Sequence, residues 1–317
     1  MAHTLKAFEV DVNGKVLDYR TAGVVDFPAV QRFFWKKYIV NKLWSGGRHV
    51  LGELEKDGRK YFLKLATTEG ISAVLKNEYH WNEGFHRAVP QGTSEFRVPK
   101  NLEHGLFEER LYFLITDMFD GTLLVGKPDA SVDMSVFTDT IESVVKFSEF
   151  IQTLPFHDAT ETGDYRERFL LKVHAWYDLI PQDVRGKYEL PALLHIVEKG
   201  AAGLKKKPRH GDFTPWHLMM LSDGKLGLID GEHYMAAGVA YYDIGYFIQR
   251  IYSVLSKPEI AVATYAMLME SGYDAKALQV ILASRAIGGF LDASFAEKPD
   301  YTMHDAFKVW VVNPKVG

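Results

Sequence analysis

Two aspartates stand out in this chain as residues able to do chemistry. Asp212 and Asp230 lie eighteen positions apart within the stretch RHGDFTPWHLMMLSDGKLGLID, and their surroundings differ. Asp212 follows His210-Gly211 in a short polar loop broken by Pro215, whereas Asp230 ends the apolar run Leu226-Gly227-Leu228-Ile229. That run predicts a strand with a carboxylate at its tip, and Ser222-Asp223-Gly224-Lys225 predicts the hairpin turn between the two aspartates. A positioned carboxylate can accept a proton as a general base. It can also offer hard oxygen to a hard divalent cation. The plainer alternative for Asp212 is a loop carboxylate that caps a turn.

Three motifs in order carry a family resemblance. His210-Gly211-Asp212-Phe213-Thr214-Pro215-Trp216-His217 resembles the HGDxxPxN catalytic loop of the aminoglycoside phosphotransferase and choline kinase superfamily. Ile229-Asp230-Gly231-Glu232 resembles its I-D-x-E metal motif, and Tyr242-Asp243-Ile244-Gly245 resembles the element that follows. A lone HGD says little; the three in this order and spacing are specific. The resemblance implies that Asp212 aligns the acceptor hydroxyl and takes its proton, while Asp230 is the principal Mg²⁺ ligand. It also implies that His210 braces the loop by hydrogen bonding and that Asp243 anchors the loop from below. His217 departs from the pattern, standing where the family has a metal-binding Asn. It is expected at the second-metal side, although imidazole is a poor donor for Mg²⁺; the alternative is that it hydrogen-bonds Asp212 or a loop carbonyl. Glu232 either reaches the acceptor, where an acid would hold an amine, or is structural.

The elements that must position these residues begin near the N-terminus. Gly46-Gly47 separates two strand-like runs, so the backbone can turn tightly there and aim N–H groups at an anion. A Gly-Gly hairpin with no ligand is the ordinary meaning of such a pair. Asp57-Gly58 then turns the chain into Arg59–Ala66, where alternation puts Phe62, Lys64 and Ala66 on one face and Tyr61, Leu63 and Leu65 on the other. Both faces are mostly apolar, so Lys64 needs a buried anionic partner unless it is a surface lysine on an edge strand. A helix predicted from about Glu69 to Arg87 carries the stripe Ile71, Val74, Leu75, Trp81 and Phe85, with Glu78 in phase. A carboxylate in an apolar stripe is costly unless paired. Lys64 with Glu78 matches the strand-lysine and helix-glutamate pair that positions ATP phosphates in kinase folds. With that match, Gly46, Gly47, Arg48 and His49 are expected to cover the phosphates.

Leu111–Thr116 predicts a fully apolar strand that ends at Asp117-Met118-Phe119-Asp120-Gly121. The resemblance makes this the inter-lobe hinge, with backbone at Met118 taking up the adenine edge. Residues 1–118 are accordingly read as a nucleotide-binding N-lobe. Residues 119–317 are read as a helical C-lobe holding the catalytic loop and the acceptor site. The polar run Lys127–Asp133 marks the boundary, and Asp158–Asp164 is an acid-rich connector. Helices are expected over Val136–Leu154, Tyr165–Ile180, Glu189–Leu204, Ile244–Leu255, from Pro258 to Ser271-Gly272, and over His304–Val312. A long apolar helix, Ala275–Ala296, is expected to be interrupted at Gly288-Gly289.

Composition narrows the function classes. Among 317 residues, Lys and Arg total 37 against 41 Asp and Glu, a net charge of −4 that offers nothing to nucleic acid or an anionic membrane. A mildly acidic chain suits a cationic substrate. The absence of cysteine removes disulfides, thiolate nucleophiles and Cys-ligated zinc. No window approaches eighteen uninterrupted apolar residues and the N-terminal stretch lacks a signal core, so a cytoplasmic location is expected. The apolar share of 47% is ample for a large core. The resemblance implies an α+β, bilobal protein-kinase-like fold: a small antiparallel-sheet N-lobe with one pivotal helix, and a larger, mainly helical C-lobe. It implies transfer of the γ-phosphoryl group of ATP, with Mg²⁺, to a hydroxyl of a small molecule. Candidate acceptors are an aminoglycoside-like antibiotic, an amino alcohol such as choline, homoserine or a sugar. The alternatives are a catalytically weak nucleotide-binding regulatory protein of the same fold, or transfer to a macromolecule.

Overall fold

The computed structural model describes residues 7–90, 94–126, 128, 135–156 and 163–313. The polar run Lys127–Asp133 and the connector Asp158–Asp164 lie outside these, apart from Pro128, Gly163 and Asp164. The chain is α+β and forms two compact units. Unit 1 comprises Met1–Gly121 with Leu221–Tyr234; unit 2 comprises Thr122–Met220 with Met235–Gly317. Among the described residues no helix is long and apolar enough to cross a membrane.

Unit 1 opens with a hairpin, β1 (Glu9–Val12) and β2 (Lys15–Asp18), followed by the helix α1 (Phe27–Phe34). Its centre is a five-stranded antiparallel sheet made of β3 (Ile39–Gly46), β4 (His49–Lys56), β5 (Arg59–Ala66), β7 (Asn101–Phe107) and β8 (Leu111–Asp117), in the order β3-β4-β5-β8-β7. The turns follow from residue type: Asp57 and Gly58 have φ of 51° and 72°, the positive values a tight two-residue hairpin demands. Period-two alternation then gives β5 two faces. Leu63 and Leu65 are fully buried with Val30, Phe34, Leu54 and Ile115. Ala66, from the opposite face, packs with Ile71, Leu75 and Leu114. The helix α2 (Glu69–Ala88) starts at Thr68, whose hydroxyl accepts the Ile71 N–H, and it buries Val74, Leu75, Glu78, Trp81 and Phe85. A short strand, β6 (Phe96–Arg97), pairs in parallel with Leu226–Leu228, the strand that delivers Asp230.

Unit 2 is mainly helical: α3 (Ser135–Thr138), α4 (Ile141–Ile151), α5 (Tyr165–Leu179), α6 (Gln182–Lys187), α7 (Pro191–Gly200), α8 (Tyr242–Gln249), α9 (Pro258–Glu270), α10 (Ala275–Ser294) and α11 (Thr302–Val312). The strands Lys206–Arg209 and Met235–Val239 pair antiparallel. Two helix expectations need correction. The single helix over Val136–Leu154 is broken between α3 and α4 at Asp139-Thr140, where the Thr140 hydroxyl turns back to the Phe137 carbonyl. Ser, Thr and Asp side chains compete for backbone groups in this way and weaken a helix. The helix expected over Ile244–Leu255 is present, as α8 to Gln249 and then a π-turn over Arg250–Val254. Conversely, α10 runs unbroken through Gly288-Gly289. A Cβ at Gly289 would meet Gln249 Nε2 and His304 Nδ1 at 2.8 Å, so glycine here permits close packing and does not end the helix.

Candidate active site

In unit 1, two stretches distant in sequence bring three carboxylates to Lys64. Its Nζ lies 2.8 Å from Glu78 Oε2, 2.6 Å from Asp230 Oδ1 and 2.6 Å from Glu232 Oε1. Strand β5 presents the lysine, the buried stripe of α2 presents Glu78, and the end of Leu226–Leu228 presents the other two. Asp230 has φ of 67°, a left-handed conformation that Asp tolerates better than most residues. The following Gly231 lies so close to the Trp81 indole that a Cβ would stand 2.4 Å from it. The I-D-G-E sequence therefore has a local reason. Asp230 takes the sharp turn, Gly231 clears Trp81, and Glu232 is carried inward to 1% exposure.

Glu232 is a partner that the sequence reading left between two roles. Its Oε2 accepts from Arg48 Nη2 at 2.8 Å, and His49 Nε2 stands 2.9 Å from its Oε1. Its backbone carbonyl accepts from Asn77 Nδ2 at 3.0 Å. Arg48, which also donates to the Tyr19 carbonyl at 3.1 Å, is thus held down onto the protein. Gly46 and Gly47 turn between β3 and β4, Gly47 with φ of 68°. No local pattern pointed to Glu232 as a ligand of the lysine, because its partners lie far away along the chain.

The ionisation of this cluster follows from burial set against charge. Burial would lower the Lys64 ammonium, but Asp230, Glu232 and Glu78 together hold it well above its ordinary value. Burial would raise Glu232, but Lys64 and then His49 hold it well below the usual carboxylate range. Glu78 goes the other way. Burial, aided by its two carboxylate neighbours, outweighs Lys64 and raises it to about 7. The His49 imidazole is lowered by burial despite Glu232. The oxygens of Glu78, Asp230 and Glu232 lie within 4.8 Å of one another. Such a hard-oxygen set fits Mg²⁺. Asp230, with a side chain 29% exposed, is the one placed to offer an oxygen outward. Met118, expected at an adenine site, is 38% exposed, and its N–H donates to the Lys60 carbonyl at 3.4 Å.

In unit 2 the loop after Lys206–Arg209 is tied down from below. Asp243, in the first turn of α8, accepts the His210 N–H at Oδ2 and the Gly211 N–H at Oδ1, each at 2.8 Å. Gly211 has φ of 86°, which favours glycine. Phe213 is fully buried between Phe147 and Phe247 and pins the loop's far side. His210 is fully buried beneath the loop. Asp212 is left at the surface of this frame with its side chain 20% exposed. Burial raises the Asp243 carboxyl to about 6, against the two N–H donors and Arg209. His217 closes a 3₁₀ turn, and its Nδ1 lies 3.0 Å from the Asp212 carbonyl and 3.6 Å from Asp212 Oδ2. A carbonyl only accepts, so Nδ1 carries the proton. In the neutral ring the lone pair is then on Nε2, the tautomer a metal-ligating histidine commonly has.

Comparison with known proteins places this geometry in a family. The aminoglycoside phosphotransferase APH(4)-Ia, as a thermostable mutant in ternary complex with ADP and hygromycin B, superposes with a TM-score of 0.67 at 16% identity, covering 91% of this chain and 99% of that one. A putative aminoglycoside phosphotransferase from Ralstonia eutropha gives 0.58 at 14% identity, with 89% and 94% covered. The choline kinase LicA from Streptococcus pneumoniae gives 0.55 at 12% identity, with 90% and 94% covered. At these identities the likeness shows the fold, which is protein-kinase-like. No curated protein sequence matches the chain significantly. The model of the phosphotransferase enzyme family matches residues 51–273, which includes β5, α2, the HGD loop and Asp243. The chain belongs to the phosphotransferase enzyme family.

Proposed function

We propose that this protein transfers the γ-phosphoryl group of ATP to a hydroxyl of a small molecule. The observation that carries the reading is the Lys64 cluster, in which one buried cation is held by Glu78, Asp230 and Glu232 from separate stretches of chain. A lysine so fixed presents a fixed positive charge to nucleotide phosphates, and the glycine turn at Gly46-Gly47 offers backbone N–H groups to them. Asp230 would hold Mg²⁺, with His217 as a weaker second donor. The cation would neutralise charge on the phosphate oxygens. Asp212 orients the acceptor and takes its hydroxyl proton. The acceptor oxygen bonds to the γ-phosphorus as the bond to the β–γ bridging oxygen breaks, and ADP leaves. Asp243 contributes by holding the His210 and Gly211 N–H groups and with them the loop's shape. Solved relatives named for aminoglycosides and for choline support a small-molecule acceptor.

The test is ADP formation by purified protein with MgATP and a panel of sugars, amino alcohols, hydroxy acids and antibiotics, beside nucleotide binding measured directly. Acceptor-dependent ADP supports transfer. Tight nucleotide binding with no ADP from any acceptor would leave a regulatory nucleotide-binding protein.

A further inference from the structure

The two edges of the five-stranded sheet in unit 1 are finished differently. Strands β3 and β7 end the order β3-β4-β5-β8-β7, and each carries a register shift, between Val40 and Lys42 and between Asn101 and Glu103. A sheet edge leaves the N–H and C=O of alternate residues without a neighbouring strand, a template for another chain unless polar or charged side chains guard it. Beyond Ile39, β3 exposes Asn41, Lys42 and Ser45. Edge strand β7 instead exposes Leu102, His104 and Leu106, the two leucines at 49% and 48%. The His104 ring lies 4.3 Å from that of Tyr79 on α2, so this exposed row stands on the α2 side of the sheet. Residues of the other face are already engaged: Glu103 accepts from Lys37 and Tyr38, and Phe107 packs in the core.

The exposed row is complementary to itself. When β7 is set antiparallel to β7 of a second copy, with a two-fold axis at His104, Leu102 falls opposite the partner's Leu106 and Leu106 opposite the partner's Leu102. In the same register Lys100 falls opposite the partner's Glu108, and both residues are exposed. Glu103 falls opposite the partner's Gly105, so no like charges are opposed. Neighbouring registers lose this match. An axis at Glu103 sets Leu106 against the partner's Lys100, and an axis at Gly105 sets Leu102 against the partner's Glu108. A foreign peptide has no need of a pattern that reads the same from both ends, whereas a two-fold contact between identical chains requires one.

We propose that β7 joins two copies of this chain edge to edge, continuing the sheet of unit 1 across a two-fold axis at His104. The pairing is short, so the dimer is weak and forms with rising concentration. The chain contains no cysteine, which lets the register be read directly. Leu102→Cys and Leu106→Cys proteins, mixed and mildly oxidised, should crosslink to each other several-fold faster than either does with itself, because only the mixture sets two thiols opposite. Sedimentation velocity of the unaltered protein should show a dimer that grows with concentration. Leu106→Lys should weaken that association at least about fivefold, since the axis counts each change twice, while the circular dichroism stays that of the unaltered protein. A monomer at every concentration, a dimer unaffected by Leu106→Lys, or crosslinking with no preference for the mixture overturns the inference. So does Asn41→Cys crosslinking as readily as the mixture, which would place the contact on β3.

Discussion

Around Lys64 in unit 1, burial is opposed by opposite charge, and charge wins at the centre. The lysine is held above and Glu232 below their ordinary values, and only the outer members Glu78 and His49 yield to burial. In unit 2 burial decides at three groups, while Arg250 is held above its ordinary value by Tyr246 and Asp292. Asp243 rises to about 6, Lys172 falls to about 8 and His304 falls to about 4, each toward its neutral form. The difference teaches what each unit is built to do. A rigid cage of alternating charge fixes one cation in place, as the proposed contact with phosphates requires. In unit 2 the groups that burial shifts move to their neutral forms instead, which keeps charge out of the interior.

The cage is the place to break first. Lys64→Ala leaves three carboxylates together without their cation, and loss of one partner from a buried pair costs on the order of 3–5 kcal/mol. Chemical denaturation should show a loss in that range together with weakened ATP binding. A double-mutant cycle with Glu78→Gln should show strong coupling. A loss below roughly 1 kcal/mol, with no coupling, would mean that the cage does not exist in solution.

The loop of unit 2 should behave differently, because the role proposed for Asp212 lies in the reaction and not in the fold. Asp212→Asn is expected to cut turnover by roughly a hundredfold or more, the usual reach of a general base and positioning group. Stability and nucleotide affinity should stay close to wild type. Near-normal turnover of the purified variant removes Asp212 from the mechanism.

The third prediction concerns pH and sharpens the contrast in ionisation. His304 is lowered from 6.5 to about 4 by burial, then by Arg250. The unfolded chain therefore binds the extra proton in the window between those values. Stability from keeping this ring neutral is fully present above pH 6.5 and is lost as pH falls toward 4. The loss amounts to at most about 3 kcal/mol. His304→Gln should flatten the acid limb of unfolding free energy across that window. An unchanged limb would show that His304 is solvated. Asp243 acts with the opposite sign. Its raised value means that its contribution weakens as pH rises from its ordinary value toward 6 and is constant above.

The smallest effect is expected at His217, whose Nδ1 is held by the Asp212 carbonyl. If Nε2 meets a second metal ion, turnover should favour Mn²⁺ over Mg²⁺, since Mn²⁺ accepts nitrogen more readily. His217→Asn should reverse that preference by a few-fold, roughly 1 kcal/mol or less. Identical metal dependence in the two proteins would assign His217 to loop support alone.

What the amino-acid sequence determined by itself is what local periodicity encodes. Lys64 and Glu78 were legible as a pair because strand alternation put one, and helical phase put the other, among apolar neighbours where a lone charge is untenable. Asp57-Gly58 and Gly46-Gly47 were legible as turns because few residues accept positive φ. The HGD loop and its following aspartate were legible as a motif, and their hydrogen bonds give the reason for it. Tertiary structure alone decided the rest. It returned Leu221–Tyr234 to unit 1, which a linear division at 118/119 has no means of indicating. It brought Glu232 to Arg48 across 184 positions and made Gly288-Gly289 a packing site inside a continuous helix. It also brought Arg209 and Arg285 to one tyrosine, Tyr242, from two separate elements. The reason is common to all four. Periods of two and 3.6 report which face of an element is buried, but the partner met on that face depends on chain packing that neither period records.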